Sequence, residues 1–352
     1  MKNYKKILSV VMTAAMAASL AACGNSTANT SSTTDAAASD AAQTSDAAAT
    51  ESGAGTSSDG KKYTIGICQQ LEHPALDQAT QGFEDALTEL LGSGNVTFDL
   101  QNAQGEQANC ATISNGFVAN NYDLILANAT TALQCAAAAT STIPVIGTSV
   151  TDYATALDID NWTGSTGTNV SGTADLAPID QQEDMLVELF PDAKNVGILY
   201  CSAEPNSAYQ SQTIQGYLKD YGYECTEYTF ADSNDIASVV NNAIATSDVL
   251  YIPTDNTAAS NTTIIQNICQ PAGIPIIAGE EGICSGCGVA TLSISYYDLG
   301  YKTGEMAYEI LVNGADVSQT AVEFAPNVTK KYNAANCEAL GITVPDDYVA
   351  IE

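Results

Sequence analysis

From residue 63 onward, short β-branched runs alternate with longer segments whose apolar residues recur every three to four positions. The runs at 63–69, 96–102, 124–128 and 144–148 predict strands, and the segments at 76–91, 108–120 and 130–139 predict helices between them. A Gly/Thr/Asn-rich stretch at 162–174 interrupts the pattern, which then begins again. Helices are predicted at 179–190, 207–221, 236–245 and 258–269, and strands at 196–201, 224–230, 249–253 and 275–278, with a late helix at 298–312. Strand–helix alternation of this kind predicts an α/β fold with parallel sheets.

The two halves resemble each other. Ile65-Gly66-Ile67 leads to Pro74 and then Gly82-Phe83, while Val196-Gly197-Ile198 leads to Pro205 and then Gly216-Tyr217. The strand ending at Asn128 runs into Ala129-Thr130-Thr131-Ala132, and the strand ending at Pro253 runs into Thr254-Asp255-Asn256-Thr257. Such duplication predicts two similar doubly wound parallel-sheet lobes with a ligand cleft between them. Ligands of open α/β sheets sit beyond the carboxyl ends of the strands, where the loops here are rich in Thr, Asn, Asp and Ser.

Ahead of the folded part, Lys2, Lys5 and Lys6 precede an apolar run at 7–20 that closes on Leu20-Ala21-Ala22-Cys23. This resembles a bacterial lipoprotein signal, and the run is shorter than the roughly 20 apolar residues that span a bilayer. The resemblance implies a signal peptide at 1–22, acylation of Cys23, and a lipid-anchored protein on the extracytoplasmic face of the cell membrane. Residues 24–60 contain no aromatic or large aliphatic side chain. They predict a disordered linker from 23 to 60 with a reach of roughly 30–35 Å.

Charge narrows the partners. The formal net charge is −31, and losing the three signal lysines takes it to −34, which excludes nucleic acid as a natural partner. The chain has no arginine, and His73 is its single histidine. Any Ser-His-Asp triad or Cys-His pair would have to use that one residue, and a zinc site would lack its usual imidazoles. Acid/base catalysis by paired carboxylates stays open, although among 41 acidic residues close spacing is weak evidence. With no nucleophile-base pair standing out, we expect no metal, no cofactor and no enzyme, an enzyme on the same scaffold being the alternative. Nine cysteines follow Cys23, an odd number that forbids a complete internal disulfide framework. Cys284-Ser285-Gly286-Cys287 reads as a local disulfide or two free thiols rather than a redox or metal motif, because a second pair and a thioredoxin-like context are missing.

Several motifs then point in one direction: Glu72-His73-Pro74-Ala75-Leu76-Asp77, Asn102-Ala103-Gln104-Gly105, Asn169-Val170-Ser171-Gly172, Glu204-Pro205-Asn206-Ser207, Pro253-Thr254-Asp255-Asn256-Thr257 and Tyr296-Tyr297-Asp298-Leu299-Gly300. In this order they resemble one family of ABC-transporter substrate-binding lipoproteins over residues 62–314. The resemblance implies a type I periplasmic-binding-protein-like fold, two lobes joined by three crossovers that close on a small solute. It divides the folded part into an N-lobe at 62–175 plus about 288–316 and a C-lobe at 176–287 plus about 317–352. It also implies an aromatic amino acid as ligand, delivery to an ABC permease and its ATPase, and a monomer. Tyr153 stands where the family usually has proline, and 158–166 replaces a basic Pro/Gly-containing link, which bears on the crossover geometry and on Asp152.

Apart from the family, the missing arginine means that no guanidinium fork meets a ligand carboxylate. Backbone N–H groups at a helix start are the alternative, which selects Ala129, Thr130 and Thr131, with Thr130 otherwise a helix cap, and the matching Asn206 and Ser207. An ammonium group needs a carboxylate or carbonyls. Asp255 is the first candidate, flanked by Thr254 and Asn256, then Glu280, and Glu204 as either a ligand contact or a latch between lobes. His73, Pro74 and Leu76 are expected on the cleft wall, and Ser149 and Asp152 complete the expected set. Tyr200, Tyr209, Tyr296 and Tyr297 are possible stacking partners, Tyr200 being more at home in the core. Burying an aromatic ring supplies roughly 4–6 kcal/mol, and micromolar binding needs about 8 kcal/mol, so charge-assisted contacts must add the rest. A sugar or nucleoside on the same fold, and a surface adhesin, are the alternative functions.

Overall fold

The computed structural model describes residues 60–325 and 327–351. The expected signal peptide, Cys23 and nearly all of the expected linker lie outside the described residues. The first lobe opens with strand β1 (Tyr63–Gln69), helix α1 (Pro74–Leu91), β2 (Val96–Asn102), α2 (Gln107–Ala119), β3 (Leu124–Asn128), α3 (Thr130–Ala139), β4 (Val145–Val150), α4 (Tyr153–Ala156) and β5 (Val170–Ala174). The second follows with α5 (Ile179–Leu189), β6 (Asn195–Cys201), α6 (Pro205–Asp220), β7 (Glu224–Phe230), α7 (Ile236–Ile244), β8 (Val249–Ile252), α8 (Asn256–Ala259), α9 (Thr262–Ala272), β9 (Ile276–Ala278), α10 (Glu281–Gly286) and β10 (Ala290–Ser293). The chain returns to the first lobe for α11 (Tyr296–Leu311) and β11 (Glu323–Phe324), and ends in the second with β12 (Thr329–Tyr332), α12 (Ala334–Leu340) and β13 (Val349–Ala350).

The first sheet has the order β11-β5-β4-β3-β1-β2 and is parallel throughout. The second has the order β13-β12-β10-β9-β8-β6-β7, with the β10–β12 pair antiparallel. Each sheet is covered on both faces, which explains why its central strands are continuously apolar. Ile65, Ile67, Leu124, Leu126 and Ile146 point to one side and pack with Phe83, Leu87 and Met306 of α1 and α11. Cys68, Ile125, Ala127 and Val145 point to the other and pack with Phe117 and Leu133 of α2 and α3. The second sheet repeats the scheme, with Ile198, Tyr200, Tyr251 and Ile277 against α5 and α6, and Leu199, Leu250, Ile252 and Ala278 against α7 and α9.

The structure moves two lobe boundaries. The expected return to the first lobe at about 288 occurs after β10, because Ala290 and Thr291 pair with Ile277 and Ala278 in the second sheet. The last crossing, expected at about 317, follows β11, whose Glu323 and Phe324 pair with Thr173 and Ala174. The helix expected at 258–269 is two helices, α8 and α9, joined at Ser260 and Asn261. No helix among the described residues is long and apolar enough to cross a membrane.

Helices α1 and α11 approach closely through glycine. A β-carbon on Gly82 would meet the Tyr297 carbonyl, and one on Gly300 would meet the Ala79 carbonyl. Backbone atoms cannot yield as a flexible side chain does, so overpacking here costs about 1–3 kcal/mol or more. Gly82→Ala and Gly300→Ala are each expected to lower the melting temperature by about 4 °C or more. Gly216→Ala, where nothing lies within 4 Å of the added carbon, is expected to be neutral or slightly stabilising through helix propensity. Calorimetric melts of the three variants check this contrast.

Candidate ligand-binding cleft

The carboxyl ends of β1, β3, β4 and β5 face those of β6, β8 and β9 across the gap between the lobes. On the first lobe, the loop after β1 is braced from within. Gln70 Nα donates to the Asn128 carbonyl at 3.1 Å, and Gln70 Oε1 accepts the Thr131 N–H at 3.2 Å. His73 follows at the N-cap of α1, 6% exposed, and Pro74 occupies the first turn. Leu76 is buried in α1, its carbonyl accepting Asn128 Nδ2 at 2.8 Å. After β3, Ala129 has φ +89°, and Ser149 within β4 has φ +56°. Such conformations are strained for residues with a β-carbon and concentrate at binding sites. Ala129, rather than Thr130, holds the N-cap position of α3; Thr130 is its first residue, and the expected Thr130 cap is absent. Of the first N–H groups of α3, that of Ala129 donates to the Thr148 carbonyl and that of Thr131 to Gln70 Oε1. Those of Thr130 and Ala132, without intrahelical acceptors, lie at the positive end of the helix dipole, which favours negative charge. Ser149 Oγ is buried with no partner.

The second lobe gathers its expected residues into one network. Asp255 is 1% exposed, and both of its oxygens are engaged within the lobe. Oδ1 accepts the Ala258 N–H at 2.7 Å, capping α8, while Oδ2 accepts the Cys201 N–H and the Ser207 hydroxyl, each at 2.7 Å. Three donors within the lobe thus meet the Asp255 carboxylate, one of them the Ser207 hydroxyl. Asn206 Nδ2 donates to the Thr254 carbonyl at 2.8 Å, which leaves Asn206 Oδ1 as a buried, unpartnered acceptor, the opposite polarity from a carboxylate clamp. Glu204 is bonded within the second lobe. Its Oε2 accepts Asn256 Nα at 3.0 Å and Asn256 Nδ2 at 2.7 Å, and its Oε1 accepts Thr257 Nα at 2.9 Å and the Thr257 hydroxyl at 2.8 Å.

The contact between lobes is one step further along that network. His73 Nε2 lies 3.0 Å from Asn256 Oδ1. Because Asn256 Nδ2 faces the acceptor-only Glu204 carboxylate, Oδ1 is the atom turned toward the histidine, and Nε2 must donate. His73 Nδ1 is buried and unpartnered. Glu280 Oε2 accepts the Gly282 N–H at 2.6 Å and Oε1 accepts the Ile283 N–H, so this acid caps α10. Asp152 likewise caps α4, its Oδ1 accepting the Thr155 N–H at 2.7 Å. Tyr153 fills the space left by Gly147 and Gly172 and donates to the Thr173 carbonyl at 3.2 Å.

One residue of the cleft escaped the sequence reading. Asp175, at the first crossover directly after β5, is 3% exposed and accepts the Tyr296 hydroxyl at 2.9 Å on Oδ2, while Oδ1 has no partner. Its only sequence signal is an acid at the end of a Gly/Thr/Asn-rich stretch. Tyr296 is thus a brace for Asp175 rather than a stacking ring, and Tyr200 sits in the core, as its strand position suggested. A cavity of about 700 Å³ opens beside the second and third crossovers, lined by Pro74, Ala75, Glu280, Ser293, Tyr296 and Lys331 among others.

Burial dominates the electrostatics. It pushes the carboxyls of Asp175 and Glu280 above the usual range, and burial together with the neighbouring Glu204 takes Asp255 up to about 8. Among the described residues no lysine is buried, and every lysine ion pair is partly exposed. Lys331 on the cavity wall pairs with Glu281 at 2.7 Å, and among the described residues His73 is the buried side chain able to carry positive charge. Among the described residues no group of three or more His, Cys, Asp or Glu is placed to hold a metal ion. Cys284 and Cys287 are free and buried, and burial raises both thiols well above their ordinary range, which disfavours thiolate chemistry.

Fold and cleft together define a two-lobed solute-binding protein. The profile of the ABC transporter substrate binding protein family matches residues 64–351, and the chain belongs to that family. It is 38% identical over 257 residues to the tyrosine-binding protein of Clostridioides difficile (strain R20291), covering 72% of this chain and 74% of the relative. Its structure is similar to that of an ABC domain from Streptococcus pneumonia in complex with L-Trp, with 32% identity, a TM-score of 0.76, and coverage of 81% and 99%. It is also similar to the ligand-free, open structure of CD0873 from Clostridium difficile, a substrate-binding protein with adhesive properties, with 35% identity, a TM-score of 0.63, and coverage of 82% and 100%.

The raised carboxyls set a pH dependence. In the unfolded chain these acids return to values near 4, so the folded protein binds more protons between about pH 4 and 8. Their contribution is therefore fully present at the acidic end and is lost as pH rises through the folded values. The melting temperature is expected to be higher at pH 5.5 than at pH 8, and Asp255→Asn to flatten part of that slope. Scanning calorimetry across the interval checks both; a midpoint that climbs with pH would contradict them.

Proposed function

We propose that this protein is the extracytoplasmic substrate-binding lipoprotein of an ABC importer, which captures an aromatic amino acid by lobe closure and hands it to a permease driven by an ATPase. The observation that carries the ligand class is the polarity of the cleft. One wall offers the start of α3, a receptor for a carboxylate, and the cleft as a whole holds buried acids with no buried lysine to balance them, which suits an ammonium. A zwitterion complements both. The tyrosine-binding and L-Trp-bound relatives support an aromatic side chain. Lobe closure is supported by the His73–Asn256 bond. At similar identity, the likeness is also greater to the L-Trp complex, at 0.76, than to the open relative, at 0.63. The role is binding and delivery by a monomer, without a catalytic group.

A thermal-shift screen of the purified protein against the twenty amino acids, nucleosides and common sugars tests this reading. Tyr, Trp or Phe at about 100 times its dissociation constant is expected to raise the melting temperature by about 5 °C. Stabilisation by a sugar or nucleoside alone would overturn the ligand class. For the anchor, Cys23→Ala is expected to leave ligand affinity intact while releasing the protein from the membrane fraction; equal retention of the variant would refute lipidation at Cys23. The adhesive relative favours a second reading, attachment to surfaces through the same domain, which an adhesion assay with a ligand-site variant separates from uptake.

A further inference from the structure

With Asp255, Glu204 and Glu280 each occupied by backbone donors, the cleft still needs a partner for an ammonium. Asp175 is the acid with a free oxygen. Its backbone is fixed by the bond from Asp175 Nα to the Val150 carbonyl at 3.2 Å, and its Oδ2 by the Tyr296 hydroxyl at 2.9 Å. Oδ1 is buried and unpartnered. An ionised carboxylate in that setting is costly unless a cation or several donors meet it. No lysine among the described residues is buried. His73 lies within electrostatic reach of Asp175, but its donor nitrogen Nε2 is committed to Asn256 in the other lobe. Its Nδ1 is also buried and unpartnered. The free Asp175 oxygen is the acceptor left for a donor-rich cation.

We propose that Asp175 is the ammonium receptor of the cleft, its free Oδ1 accepting the ligand's α-ammonium. The assignment rests on the amino-acid reading above and makes it specific: a primary amine is required, and the acidic residues at the strand ends of the second lobe are scaffolding. Asp175 and Tyr296 stand on the first and second crossovers, so the ammonium is held by the segments about which the lobes move. Burial raises the Asp175 carboxyl, and an ammonium would offset that effect.

Calorimetric titration of the full folded domain with three probes tests the assignment: L-tyrosine, L-tryptophan, and 3-(4-hydroxyphenyl)propionate, which is tyrosine without its amine. Asp175→Asn is expected to weaken both amino acids by about 30-fold or more, the scale of a lost charge-assisted hydrogen bond. It should leave the already weak binding of the deaminated acid unchanged or improve it. Tyr296→Phe, which keeps the carboxylate and removes its brace, is expected to weaken the amino acids by about 3- to 10-fold with the same indifference to the deaminated acid, and serves if Asp175→Asn folds poorly. Equal loss for all three probes would make Asp175 merely structural and overturn the assignment, as would unchanged amino-acid affinity in either variant. Wild-type protein that binds no amino acid would instead overturn the ligand class, and Asp175 with it.

Discussion

A chain without arginine that buries carboxylates between two lobes has to satisfy them with neutral donors, and that constraint shapes the cleft. Asp255, Glu280 and Asp152 cap α8, α10 and α4, and Glu204 reaches from the start of α6 to the first two N–H groups of α8. The buried acids Asp255, Glu204 and Glu280 exchange water for backbone N–H groups at a positive helix end, and Asp152 does so from a half-buried position. The short helices following the strands are therefore part of the electrostatic solution, since they supply the donors that lysine and arginine would otherwise provide.

The lobes and their central strands were legible because both sheet faces are covered, so β1, β3, β6 and β8 appear as unbroken apolar runs in the sequence. What lies at the edges was not. Strands β11 and β13 have two residues each and exposed side chains, too short for periodicity to register, and the second and third crossovers could be placed only approximately. At the cleft the sequence showed which residues lie at strand ends but not what they do there. An acid before a helix looks the same whether it caps that helix, as Asp255 does, or faces a ligand. Asp175 gave the weakest signal, a single acid beyond a run of small residues, because its environment is assembled by Tyr296 and His73, more than a hundred residues away on either side.

Tyr153 shows how an aromatic at the exit of β4 is accommodated. Its ring lies where Gly147 and Gly172 leave room, on neighbouring strands of the first sheet, and its hydroxyl reaches the Thr173 carbonyl. The packed aromatic ties α4 to β4 and β5. The strained Ser149 sits just ahead of it, within a bulge between Gly147 and Val150. The tyrosine and the bulge together set how the chain leaves β4 for the cleft.

The glycine-mediated seam between α1 and α11 also bears on how the molecule is made. Helix α1 ends at Leu91 and α11 begins at Tyr296, so the first lobe lacks a wall of its core until the second lobe has been synthesised up to β10. Strand β11, which closes the edge of the first sheet, comes later still. During N-to-C synthesis the early part of the chain therefore emerges as a half-covered sheet, unable to complete its packing alone. The second lobe is in the same position, since its β12, α12 and β13 follow β11, so each lobe is completed only by segments made after the other has begun.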